Sequence, residues 1–110
     1  MIQYNRGENM NLFKGLIKCS CGKNFNFKND NGVPIYLCSG YKNYGSTYCP
    51  RNIIHEKDII SVIELHLSHA LLNREIIKEN INRIEVDKDV ISIFYYDGSK
   101  SEWNNSILKI

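Results

Sequence analysis

The sequence predicts an α+β fold: a small β-ribbon first, two helices next, and a C-terminal antiparallel β-hairpin. Three observations carry that expectation. Four cysteines (Cys19, Cys21, Cys38 and Cys49) punctuate short strand-forming stretches and occur nowhere else. From His55 the apolar residues recur at three- and four-residue steps, the period of a helix. From Ile84 the period changes to two, the alternation of a strand with one buried face. With 110 residues, 43% of them hydrophobic and 24% charged, the chain is the size of one compact domain and has an ordinary globular composition. Wholesale disorder, collagen and a simple coiled coil are thereby excluded. No apolar run approaches the roughly 20 residues of a membrane span. The first residues, Met1 to Arg6, lack the apolar stretch of an export signal. The expectation is a soluble cytoplasmic protein.

The cysteines follow the pattern Cys-x-Cys, sixteen residues, Cys, ten residues, Cys. Four thiolates match the tetrahedral demand of a structural zinc ion and leave no open coordination position for a substrate. Two disulfides, free thiols and an iron–sulfur cluster are the alternatives. Disulfides need an oxidising compartment, and Cys19 and Cys21 are too close in sequence to pair easily with each other. Gly22 permits a tight turn that aims backbone N–H groups at sulfur. Phe25-Asn26-Phe27 alternates as a strand, Asn29-Asp30-Asn31-Gly32 is a turn cluster, and Val33 to Leu37 returns to Cys38 as a second strand. Pro34 confines that strand to an edge or places the proline at its start. Tyr41 to Tyr48 reads as a polar, aromatic-spotted loop that delivers Cys49. The result is a zinc ribbon, two knuckles around one ion, and metal binding there is largely folding energy.

In the following helix, His55 to about Leu72, residues Ile59, Val62, Ile63, His66, Leu67, Ala70 and Leu71 share a face, with Glu56 and Asp58 in the first turn, where acids suit the helix dipole. Ile60, Leu65 and Leu72 widen the apolar face, which implies packing on more than one side. Asn73-Arg74-Glu75 opens a second helical stretch with Ile76, Ile77 and Ile81 inward. Asp87-Lys88-Asp89 is a turn, Val90 to Tyr96 a strand, Asp97-Gly98 a hairpin turn and Ser101 to Trp103 a third short strand. The tail, Ile107 to Ile110, is apolar. The expected units are a zinc ribbon with its lead-in over 1–54, a helical segment over 55–83 and a hairpin over 84–110 that packs on the same domain.

Charge divides along the chain. Residues 1–57 carry a net +5 and residues 58–110 a net −3. A basic ribbon half suggests an anionic partner, and the plain alternative is ordinary surface charge. The chain assembles no nucleophile, base and oxyanion site. There is no Gly-x-Ser-x-Gly elbow and no Gly-rich phosphate loop. His66 and His69 stand three apart on the helix without the Glu of a zinc-protease motif. Asp87, Asp89 and Asp97 read as turn residues and Trp103 as an anchor for the terminal sheet. A catalytic role is not expected.

Two stretches carry a family likeness: Asn11-Leu12-Phe13-Lys14-Gly15-Leu16-Ile17-Lys18-Cys19-Ser20-Cys21-Gly22-Lys23, and Tyr36-Leu37-Cys38-Ser39-Gly40 with the loop to Cys49 and a helix opening on Glu56 and Ile59. Over about residues 11–72 the chain resembles the recombinase zinc-ribbon domain of large serine recombinases, the phage integrases and transposon resolvases. The tail from Ile81 to Gly98 resembles that family's closing helix and hairpin. Three departures stand out. Cys19-x-Cys21 is one residue shorter than the common Cys-x-x-Cys. Only a few residues around 69–73 stand where the family inserts a long coiled-coil arm. The catalytic domain with its serine nucleophile and the intervening recombinase domain have no counterpart in these residues.

The resemblance implies an isolated C-terminal DNA-binding module that recognises half of an attachment site in double-stranded DNA, without cutting it, beside other recombinase subunits. No membrane and no small-molecule substrate are expected. Lys18, Lys23, Lys28, Lys42 and Arg51 are the candidates for phosphate contact, since cation–phosphate contacts dominate affinity. Asn24, Asn26, Asn43 and Tyr44 are the candidates for base edges. The alternative is a protein-docking or dimerisation module that uses the apolar surface of the helix and makes no DNA contact.

Overall fold

The structure, a computed structural model, describes residues 11–45, 49, 53–68 and 73–105, apart from the Lys42 side chain. The expected α+β class is present. In chain order come β1 (Ile17–Cys19), β2 (Phe25–Asp30), β3 (Val33–Cys38), α1 (Ser39–Tyr44), β4 (Ile53–His55), α2 (Glu56–Leu67), α3 (Arg74–Asn80), β5 (Ile81–Asp87), β6 (Val90–Tyr95) and β7 (Lys100–Asn104). They form a three-stranded sheet in the order β2-β3-β4 and a four-stranded sheet in the order β1-β5-β6-β7.

The β2–β3 hairpin turns on Asn31 and Gly32, both left-handed, with φ of 53° and 86°. That is the geometry Asn-Gly favours in a two-residue hairpin. The Asn29 carboxamide oxygen accepts from the Gly32 N–H at 2.8 Å. A Cβ on Gly32 would meet nothing within 4 Å, so only the backbone conformation opposes a side chain there. Gly32→Ala is expected to lower stability by about 1 kcal/mol, read as a lower urea midpoint with an unchanged slope. Pro34 sits at the second position of a central strand and costs no ladder bond toward β4. That strand reaches only Ile35, Tyr36 and Leu37 of β3.

Helix α2 buries Ile59, Ile60 and Ile63 against the core, with Val62 and Leu67 partly covered. It does not pack all round: Leu65 is 84% exposed. The helix ends at Leu67 on a left-handed Ser68 whose N–H reaches the Glu64 carbonyl. Residues 69–72, the rest of the expected helix, lie outside the described residues. Asn73 caps α3 through its side chain, which accepts from Ile76 N. The second helix is shorter than expected, because Ile81 already belongs to β5, and the ladder is irregular between Ile81 and Arg83. Ile81 is buried in either period, so its sequence position alone does not separate helix from strand.

The larger departure concerns β1. The lead-in to the cysteines does not stop at the ribbon. Ile17, Lys18 and Cys19 pair in parallel with Ile84, Glu85 and Val86 of β5. The expected C-terminal hairpin is therefore part of a four-stranded sheet. Ile17, Ile84, Val86, Ile91 and Ile93 face inward and are nearly or fully buried. They join Phe13, Phe25, Tyr36, Ile54, Ile59, Ile63, Ile77 and Tyr95 in one cluster, so both sheets and α2 share a core. Asn105 ties the far ends together, its side-chain NH2 donating to the Ile53 carbonyl at 3.1 Å.

Candidate metal centre and nucleic-acid surface

Each sulfur is placed by a different constraint. Cys19 ends β1, held in register with Val86, and the next residue donates its N–H (Ser20) to the Val86 carbonyl at 2.8 Å. A tight knuckle follows. Gly22, with φ of 95°, donates to the Cys19 carbonyl, and Cys19 N–H to the Lys23 carbonyl. That turn carries Cys21. Cys38 ends β3 and precedes α1, while Cys49 N–H reaches back to the Gly45 carbonyl at 3.3 Å. The four Sγ atoms all lie within 4.8 Å of one another. Cys19 to Cys49 is 3.6 Å and Cys21 to Cys38 is 3.5 Å. A zinc ion with Zn–S bonds near 2.3 Å sets tetrahedral edges of about 3.8 Å, so the cluster fits that ion with small adjustments.

The electrostatics ask for a cation. Burial pushes the Cys19 thiol up, with opposing and reinforcing hydrogen bonds to its neighbours. Burial and then the Cys19, Cys38 and Cys21 thiols push Cys49 up further. At Cys21 burial also works against ionisation, but the Lys23 backbone N–H and the neighbouring thiols outweigh it and hold the group below the ordinary thiol range. Four thiolates in so small a volume are tolerated only around a positive ion, which replaces their protons. Cys19, Cys38 and Cys49 are buried and Cys21 is half-buried, so the set is closed, as in a structural site.

The nine residues singled out for DNA are distributed unevenly. Lys23, Asn24, Asn43 and Tyr44 are exposed, with Tyr44 at 60%. The Lys23 ammonium lies 5.9 Å from the Tyr44 ring centre, and Ser39 N–H bonds the Asn24 carbonyl, so the knuckle and the end of α1 form one surface. Asn26 and Lys28 alternate outward on β2, continuous with Asn24. Lys18 stands apart. On the four-stranded sheet it is level with Glu85 and lines a concavity of about 600 Å³ with Glu85, Asp87, Ser92 and Glu102. Arg51 and the Lys42 side chain lie outside the described residues.

Sequence reasoning missed two polar clusters. Glu56, assigned only to the helix dipole, is 1% exposed. Its Oε2 accepts from Tyr36 Oη at 2.6 Å and from Leu12 N at 2.9 Å, while Phe13 N donates to Tyr36 Oη at 3.1 Å. Glu56 thereby fastens the lead-in to β3. A tyrosine two residues before Cys38 and an acid opening a helix were the available signals, but not their contact. His66, expected on the buried face, stacks on Tyr95 with ring centres 4.0 Å apart and bonds Ser99 Oγ at 2.8 Å. It pins the end of α2 to the β6–β7 turn. His69 lies outside the described residues.

Residues 12–68 match the family model of the recombinase zinc beta ribbon domain. No curated protein and no solved structure matches the chain. The match spans all four cysteines, and with their geometry it assigns the site one structural zinc ion.

Proposed function

Because the chain belongs to the recombinase zinc beta ribbon family, we propose that it is a zinc-stabilised DNA-binding module of a site-specific large serine recombinase, that it recognises part of an attachment site, and that it has no catalytic role of its own. The partners in this reading are double-stranded DNA and other recombinase subunits. The observation that carries it is the exposed surface at the zinc knuckle, where Lys23 lies beside Tyr44, Asn24 is tied to the start of α1, Asn43 is exposed on the same short helix, and Asn26 and Lys28 extend outward along β2. Cations there supply phosphate contacts, and the amides and the tyrosine supply groups for base edges and sugars. Lys18 instead shares its concavity on the four-stranded sheet with Glu85, Asp87 and Glu102, of which Glu85 and Glu102 are also paired with Arg83 and Lys100, so its charge is offset locally. Lys18 is therefore the weakest of the candidate contacts among the described residues. Among the described residues no helix is long and apolar enough to cross a membrane.

Fluorescence anisotropy of the zinc-loaded protein with duplex DNA at several salt concentrations tests this. Binding should weaken steeply with salt, and Lys23→Ala should reduce the magnitude of the log–log slope by about 0.9, the value of one phosphate contact. Lys18→Ala should change it far less. Tyr44→Ala should weaken binding with little change in slope, since it removes no charge. The exposed Leu65 and Tyr96, at 84% and 62%, favour a second reading as a docking module. A stable dimer indifferent to DNA at low salt, seen by light scattering, would replace the first reading with that one.

A further inference from the structure

We propose that the zinc centre has a directional route of oxidation, in which Cys21 is the sulfur that meets a peroxide and Cys38 is the one that resolves it, so that oxidation dismantles the site through one pair. The inference rests on the zinc assignment and not on DNA binding. Among the four ligands only Cys21 is not buried, while Cys19, Cys38 and Cys49 are 8%, 0% and 5% exposed. Oxidant access governs which thiolate reacts, and access here is unequal. The Cys38 sulfur lies 3.5 Å from that of Cys21. The backbone allows them to close. Cys21 lies in a turn flanked by exposed Ser20 and Gly22, the latter left-handed at 95° with open space around its Cα. Cys38, by contrast, is fixed at the end of β3 by its register with Phe25. A sulfur on a turn can move the roughly 1.5 Å that separates contact from a bond of about 2.05 Å. The other close pair, Cys19 and Cys49, has a similar sulfur separation of 3.6 Å, but both of its members are buried.

The chemistry needs hydrogen peroxide as oxidant and nothing else. The Cys21 thiolate attacks one peroxide oxygen. An S–O bond forms, the O–O bond breaks, and the hydroxide that leaves takes a proton to become water. The Cys38 thiolate then attacks the Cys21 sulfur. The S–S bond forms, the S–O bond breaks, and a second hydroxide leaves and is protonated. Two thiolates, one peroxide and two protons become one disulfide and two waters. Cys19 and Cys49 alone would then be left to hold the ion, too few ligands to keep it from a competing chelator.

The test uses the zinc-loaded wild-type chain, which avoids variants that fail to fold. Peroxide is added stepwise in the presence of a chromogenic zinc chelator. Free thiols are then blocked by alkylation, and the disulfides are mapped by peptide mass spectrometry. The expected result is release of one zinc per Cys21–Cys38 disulfide, with that pair the first to appear and Cys19 and Cys49 still alkylated at that point. Dithiothreitol and zinc should restore the starting spectrum. A Cys19–Cys49 or Cys19–Cys21 pair appearing first, an even mixture of pairs, or a disulfide without zinc release would each overturn the proposal. None of these readouts involves DNA, so they stand or fall separately from the nucleic-acid reading.

Discussion

Removal of zinc is expected to unfold the protein, and not only the ribbon. The apparent binding energy of a structural Cys-rich zinc site at neutral pH is on the order of 10–16 kcal/mol, while a domain of this size is stable by about 5–15 kcal/mol. The first quantity exceeds or consumes the second. The loss reaches the four-stranded sheet because Cys19 is at once a ligand and the last residue of β1, paired with Val86 of β5. Ile17, on the same strand, is 1% exposed and packed in the shared core. Without the ion the cluster must take up protons, since burial disfavours bare thiolates at Cys19 and Cys49. Far-UV circular dichroism and amide NMR before and after chelation check this, with dispersed β5–β7 resonances expected to collapse together with those of the ribbon. Cys38→Ser should do the same without chelator, because Cys38 is fully buried and its hydroxyl replacement is a poor zinc ligand. The pH dependence has a fixed sign. The ligands must be deprotonated to bind, so stability falls as acid protonates them. A chelated protein that keeps its native spectrum would refute the argument.

Much of this architecture was legible locally. Asn31-Gly32 and Asp97-Gly98 mark turns, and both occur where hairpins close, with Gly32 and Gly98 left-handed. The three-and-four periodicity around Ile59 and Ile63 and the alternation of Ile91, Ile93 and Tyr95 are burial patterns written residue by residue. The four cysteines were legible because thiolate chemistry restricts what such a cluster does. What escaped has another origin. The β1–β5 pairing joins three residues to a strand more than sixty positions away, and nothing local in Ile17-Lys18-Cys19 specifies a parallel partner. Helix α1 escaped because Ser39–Tyr44 is one short polar turn without an apolar period; its ends are set by Cys38 and Gly45. Lys18 looked like its neighbours in a basic half, and only the register that places it beside Glu85 separates it from Lys23. Long-range contact, not composition, decides these cases.

The same reasoning makes Glu56 the polar residue whose replacement should cost most outside the metal site. Its Oε2 is the common acceptor of the Tyr36 hydroxyl and the Leu12 N–H, and Phe13 N–H completes the chain through Tyr36. Glu56→Ala strands two buried donors, each worth about 1–3 kcal/mol when left unpaired, so a loss of about 3 kcal/mol is expected in urea unfolding of the zinc-loaded protein. Glu56→Gln keeps an acceptor oxygen and should cost less. The two variants separate hydrogen bonding from charge through pH. Burial pushes the Glu56 carboxyl above its ordinary range. The hydrogen bonds from Tyr36, Leu12 and Asn11 and the positive field of Arg74 oppose that shift without cancelling it. The Tyr36 hydroxyl is pushed up as well, by burial and by Glu56, and so remains a donor throughout. A carboxyl raised on folding binds its proton more tightly in the native state. Its contribution is complete below the unfolded value of about 4.3 and is lost as pH rises through the folded one. The stability advantage of wild type over Glu56→Gln should therefore shrink as pH rises above the unfolded carboxyl value of about 4.3. Taking that difference also removes the opposing pH dependence of the zinc ligands, which both proteins share. An advantage that grows with pH would mean that Glu56 is held ionised by its donors, and the lead-in would then be fastened by charge instead of by a buried hydrogen-bond chain.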